Sequence, residues 1–164
     1  MLKKLILLVA AGFFLASCAA TKTDQGGDVD ASSSASSTSS GGSINAGTQE
    51  DLIVNVGDRV FFEFDSSELT VDAQATLDAQ AAWLLQYSDT DITIEGHADE
   101  RGTREYNLAL GERRANAAKD YLMTYGISSD RISVLSYGKE RPVDSGSNPL
   151  AWSKNRRSVT VKAN

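Results

Sequence analysis

The sequence predicts an α+β fold of two layers, with helices packed on one face of a mixed sheet, and three observations carry that prediction. Short runs of alternating apolar residues (Val60/Phe62/Phe64, Ile92/Ile94 and Val159/Val161) have the period of two that half-buried strands show. Two longer stretches, each opened by a threonine, space their apolar residues as helices do. The segments follow one another as strand, helix, strand, helix, strand, short helix, strand, an order that lays helices against a sheet. A domain of roughly 110 residues buries enough apolar surface to stand without disulfides.

The chain opens with a segment of another kind. Lys3 and Lys4 precede an apolar run from Leu5 to Ala16, which at 12 residues is too short to span a bilayer as a helix. A positive start, a short apolar core and small residues before a cut describe a secretory signal peptide over residues 1–17. Cys18 follows directly and is the single cysteine of the 164 residues, so no intramolecular disulfide can form. From Ala19 to Glu50 the composition turns to Ser, Thr, Gly, Ala and Asp. Such a segment has too little apolar surface to offset its ordering entropy, so residues 18–50 are expected to form a disordered tether. About thirty such residues average roughly 30 Å end to end and reach on the order of 100 Å when stretched.

The folded part is expected over residues 51–164. Ile53 to Asp65 contains the first strand, broken by Asp65-Ser66-Ser67. Thr70 is the expected N-cap of a helix running to about Tyr87, with Leu77, Ala81, Leu84 and Leu85 on the face that covers the sheet. Asp91 to His97 reads as the second strand and Thr103 to Tyr125 as the second helix, ended by Gly126 in a left-handed conformation. Arg131 to Tyr137 is the third strand, Lys139 to Pro149 a loop, and Leu150 to Asn155 one helical turn. Arg157 to Lys162 completes the sheet, with Val159 and Val161 inward. Trp83 and Trp152 read as packing residues, and Lys154, Arg156 and Arg157 as a solvated entry to the last strand.

Charge narrows the function. Against 16 Lys and Arg stand 22 Asp and Glu, a net charge of −6, which argues against a nucleic-acid partner. Loss of the signal peptide removes two lysines and no acid, taking the balance to −8. Any anion must therefore be held by a placed arginine. One cysteine and one histidine far apart do not make a transition-metal site, and no cofactor is expected.

The stretch Ile92 to Ala115 holds the candidate chemistry. Asn107 and Arg114, seven residues apart, share one face of a helix with about 3.6 residues per turn. Gly111 lies between them and leaves room for something to approach, and Asp99 in the preceding loop can reach the same spot. An acid and an arginine with a gap between them suit a zwitterion. The planar guanidinium takes the carboxylate and the aspartate takes the ammonium. Free N–H groups at the helix start favour the same carboxylate. Spacing leaves a second account open, with Asp99 capping the helix or pairing with Arg101 and Arg114 solvated beside Arg113. Nor does spacing choose between the two adjacent arginines.

Glu95-Gly96-His97-Ala98-Asp99-Glu100-Arg101-Gly102-Thr103, followed by Glu105 to Ala115, resembles the peptidoglycan-binding signature of the OmpA C-terminal-like domain family. The resemblance takes in Phe62 to Asp65, Ser136 to Pro142 and Ala151 to Arg157, and so covers about residues 55–162. Leu15-Ala16-Ser17-Cys18 likewise resembles the lipobox of bacterial lipoproteins, in which the cysteine is acylated, with palmitate among the expected chains, and becomes the first mature residue. Two or three chains anchor stably where one does not. Ala19 and Ala20 replace the aspartate of an inner-membrane retention signal, which implies the outer membrane.

Together these features resemble the lipid-anchored family members of the Tol system. The resemblance implies a protein without catalytic activity that links the outer membrane to peptidoglycan and supports constriction at cell division. It implies that Asp99 and Arg114 hold the diaminopimelate of the stem peptide, that Asn107 lines the pocket, and that Phe64 and Asp65 flank it. His97 is carried as a peripheral ligand contact. Ser66-Ser67 departs from the bulkier residues of the family pattern. The implied partners are peptidoglycan, TolB and other Tol proteins, and the outer membrane through lipidated Cys18. Alternatives are an OmpA-like wall anchor outside the Tol system and, from another class, a cell-wall hydrolase using Glu95, Asp99 or Glu100. Glycoside cleavage needs two carboxyls facing across a cleft, and Glu95 points away from the side of Ile92 and Ile94 with no second acid opposite. Replacing Asp99 or Arg114 by alanine is expected to abolish wall binding and leave thermal unfolding nearly unchanged.

Overall fold

The computed structural model describes residues 44–163. The expected signal peptide, lipobox and Cys18, and most of the expected tether, lie outside the described residues. Helical structure begins inside the stretch expected as tether. Thr48 caps a single turn, α1 (Gln49–Asp51), that continues as a π-helical turn over Leu52–Val56. Gln49 is tied to the last strand, its amide accepting from Lys162 N (2.6 Å), so the domain takes in residues before 51. Ile53 and Val54, expected near the first strand, are exposed on that π turn.

The sheet has four strands, β1 (Arg59–Phe61), β2 (Ile92–His97), β3 (Ile132–Gly138) and β4 (Arg157–Lys162), in the spatial order β1-β4-β2-β3. β4 runs antiparallel to β1 and β2, and β2 runs parallel to β3, so the sheet is mixed. The parallel pair needs a crossover, and α3 (Arg104–Thr124) supplies it. α2 (Val71–Gln86) joins β1 to β2, and α4 (Pro149–Asn155) precedes β4. Thr70 and Thr103 cap α2 and α3 through their hydroxyls, which accept from Ala73 N and Tyr106 N. Gly126, with φ of 85°, follows α3 in the left-handed region as expected.

The core lies between the sheet and α2/α3. Leu77, Ala81 and Leu84 of α2 and Ala115, Ala118 and Leu122 of α3 meet Val60, Ile92, Ile94 and Ile132 of the sheet. Each large aliphatic side chain buried there contributes about 1.5–3 kcal/mol before entropy is counted. Leu85, expected on this face, is 53% exposed, because it lies one residue around the helix from Leu84.

Two strand expectations are corrected by register. Ile94 pairs with Thr160 and Glu95 with Val159, so the β4 residues facing the helices are Ser158 and Thr160. Thr160 confirms its side by donating to Gln80 Oε1 of α2 (2.7 Å), and Val159 and Val161 lie on the opposite face. The first strand ends at Phe61, so Phe64 does not continue its alternation and is 62% exposed. Beyond it Asp65 turns the chain with φ of 54°.

Candidate functional site

β2 and α3 approach so closely at one point that only glycines fit. A Cβ on Gly96 would stand 1.8 Å from the carbonyl oxygen of Gly111. The room that Gly111 leaves on the helix is therefore filled by the Ser136 hydroxyl of β3 and the Gly96 backbone of β2, and no ligand approaches there. This contact fixes α3 against the end of β2, where Asp99, Asn107 and Arg114 converge. Pairing of β2 with β3 slips between Gly96 and His97. Such an irregularity re-aims the residues beyond it.

Arg114 is fully buried. Its Nε donates to Ser66 O (2.8 Å), Nη1 to His97 O (2.9 Å) and Nη2 to Glu63 O (3.1 Å), while its carbon stands 5.2 Å from the Phe62 ring centre. Those are three of the roughly five N–H bonds a guanidinium offers. Burial, and then the charge of Arg156, lower its pKa to about 10, so it stays cationic at neutral pH. Among the described residues no carboxylate oxygen pairs with it within salt-bridge distance. A desolvated cation without a bonded anion is expensive to bury. The bond from Arg114 to Ser66 uses the backbone carbonyl, which any residue at 66 would supply.

Asp99 is also buried, with 5% of its surface exposed. Arg101 grips it in both planar positions, Nε to Oδ1 at 3.0 Å and Nη2 to Oδ2 at 2.6 Å, and adds its backbone N–H at 3.1 Å. Arg156 Nη1 stands 3.6 Å away. Burial opposes ionisation, but the bonds and charge of Arg101, with Arg156 behind it, outweigh it and hold the carboxyl below the usual aspartate range. The pairing with Arg101 that spacing allowed is therefore real, whereas the capping role belongs to Thr103. Arg113, the neighbour that spacing could not exclude, is exposed, and the solvated account of Arg114 does not hold.

Phe64, Asp65, Asp99, Arg101, Asn107 and Arg114 line one cavity of about 20 Å³. Asn107 is buried and donates to Arg101 O (2.9 Å), and Tyr106 donates to Asp65. His97 is not in this cavity. Only its carbonyl serves the site; its ring stacks near Tyr137 at 5.5 Å between centres. Neither ring nitrogen has a hydrogen-bond partner. Burial, and the charges of Arg157 and Arg141, push its pKa down to about 4, so it is neutral at physiological pH.

Two groups at the rim escaped sequence reasoning. Trp152, read as packing, faces Arg101 at 4.2 Å and donates through Nε1 to Glu100 at 2.8 Å. Arg156, read as solvated, is turned inward onto Asp99 and the carbonyl of Phe62 (2.9 Å), and Arg157 is buried. No local pattern marks either role, since both depend on how α4 meets the loop after β2. A larger concavity of about 500 Å³ lies beside β1 and the start of α2; Arg156 lines it, and neither Asp99 nor Arg114 does. Among the described residues no cluster of three or more acids, histidines or cysteines could hold a metal.

The fold and this charged cradle define a domain of the OmpA class, and the chain belongs to the OmpA family, whose model matches residues 61–156. It is similar to the peptidoglycan-associated lipoprotein of Rhizobium meliloti, 60% identical over 115 residues that cover 70% of this chain and 65% of that one. It is 47% identical over 156 residues to the protein of the same name from Mesorhizobium japonicum, covering 95% and 89%. Among solved structures, the peptidoglycan-associated lipoprotein from Burkholderia pseudomallei superposes with a TM-score of 0.63 at 40% identity, over 65% of this chain and 90% of that one. The C-terminal domain of Helicobacter pylori MotB, at 22% identity and a TM-score of 0.59 over 65% and 84%, shares the fold.

Proposed function

We propose that the domain binds peptidoglycan non-covalently by clasping the zwitterionic end of diaminopimelate between Asp99 and Arg114, without cutting the wall. The observation that carries the reading is the buried, unpaired Arg114 beside a buried carboxylate in one cavity. About two N–H bonds of the guanidinium remain free for a carboxylate. Asn107 and Asp65 border the same space, and Phe64 offers an exposed apolar rim. The similarity to proteins named for peptidoglycan association supports the same reading.

In this account residues 1–17 direct export, acylated Cys18 holds the outer membrane, and the stretch between Cys18 and the start of the folded domain spans the gap to the wall. The protein would then work with TolB and other Tol proteins in envelope integrity and constriction. A wall anchor of the same build outside the Tol system has the same site, and capture of TolB separates the two. The test of the clasp is co-sedimentation of the detergent-solubilised full chain with purified sacculi. The parent is expected to pellet without releasing soluble fragments and Asp99→Asn to stay in solution. Asp99→Asn that pellets like the parent would remove the clasp, and fragment release would favour a hydrolase.

A further inference from the structure

The cavity is too small for the ligand it is read to hold. At about 20 Å³ it has room for about one water molecule, not for the end of an amino acid. The space is filled by Arg101. Its guanidinium lies between two aromatic rings, 4.2 Å from the centres of both Phe64 and Trp152, with its forked edge on the Asp99 carboxylate. Asp99 is thus already neutralised by a cation in the seat the ligand ammonium needs. The side chain of Arg101 remains 34% exposed and rises from the loop between β2 and α3, while Asp99 beneath it is 6% exposed. One partner can swing into water and the other cannot.

We propose that Arg101 is a resident counter-cation that the ammonium of the ligand displaces, so that binding is an exchange of one cation for another on Asp99. The inference rests on the diaminopimelate reading of the site and adds a specificity rule to it. A ligand offering only a carboxylate could satisfy Arg114 but could not replace Arg101. A ligand offering both charges leaves each buried group paired throughout, and a desolvated carboxylate is never left bare. Displacement takes the guanidinium off the indole face of Trp152, which reports the exchange optically.

The probes are meso-diaminopimelate and pimelate, which lacks both amino groups, titrated calorimetrically and by tryptophan emission into the full chain in detergent. The parent is expected to bind diaminopimelate and not pimelate, with an emission change that Trp152→Phe abolishes. Arg101→Gln removes the competitor and is expected to bind diaminopimelate about two- to fivefold more tightly, the factor set by a partly exposed bidentate ion pair. Binding by the parent with no change in emission, or an Arg101→Gln affinity equal to or weaker than the parent's, overturns the exchange and leaves the clasp standing. Failure of the parent to bind diaminopimelate at all overturns both. The parent emission decides the matter even if Arg101→Gln does not fold.

Discussion

Two arginines tie loops to the sheet by gripping backbone carbonyls, one at each end of β2. At the C-terminal end Arg114 holds the carbonyls of Glu63, Ser66 and His97. At the N-terminal end Arg131 reaches those of Leu84 (3.0 Å), Tyr87 (3.0 Å) and Thr90 (2.8 Å), pinning the end of α2 to the start of β2. The local chemistry is nearly the same. What differs is the surroundings: Arg131 is half-buried, with solvent to screen it, whereas Arg114 is sealed and looks across a cavity at a second buried charge. Carbonyl gripping is a device for holding loops, and it becomes a candidate recognition site only where desolvation leaves the cation short of an anion.

The sharpest way to break the comparison is to remove each arginine in turn. Arg114→Ala is expected to lose about 3–5 kcal/mol in urea unfolding, since it strands three carbonyls and opens a void in the core, and wall binding goes with it. The structure thereby corrects the expectation that this substitution spares thermal unfolding. His97 measures the electrostatic side of the same end. Its folded-state pKa of about 4 lies below the ordinary 6.5, so the unfolded chain takes up the proton first as pH falls. Stability is expected to drop by up to about 3 kcal/mol between those two values and to level off below. His97→Gln should flatten that slope in unfolding curves recorded across it.

Arg131→Ala is expected to cost about 1–2 kcal/mol, because water can reach the freed carbonyls, and to leave sedimentation with sacculi intact. Loss of wall binding in that variant would mean that the two ends are coupled through the sheet. The smallest stability effect is expected from Asp99→Asn, about 1 kcal/mol or less, since Arg101 can bond to the amide and water screens the exposed partner. Its wall binding should nevertheless disappear. A variant that unfolds like the parent and no longer pellets separates recognition from support.

The site was legible where residues of fixed type must stand near one another in sequence. Helical spacing and the loop before it allow Asp99, Asn107 and Arg114 to meet, the family resemblance selects that account and Arg114 over Arg113, and the structure brings the three to one cavity. Phe64 and Asp65 join them from a segment more than thirty residues earlier, a placement that came only through resemblance. Trp152 and Arg156 were misread because their partners, Arg101 and Asp99, are distant in the chain. The role of His97 was split: its backbone serves the site and its ring faces away, a distinction that side-chain patterns do not encode.

By itself the sequence determined the order of helices and strands from β1 onward, the caps of α2 and α3 and the mixed two-layer architecture, and it allowed an acid and an arginine to meet at the candidate site. Those features depend on local periodicity, on hydroxyls three residues from the amides they satisfy, and on spacing along one helix. The tertiary structure alone decided which face of β4 meets the helices, that Gly96 and Gly111 touch, and that Arg114 is sealed while Arg101 stands in the seat beside it. Register and desolvation are set by what packs across a gap from another part of the chain, and neither is written in any short run of residues.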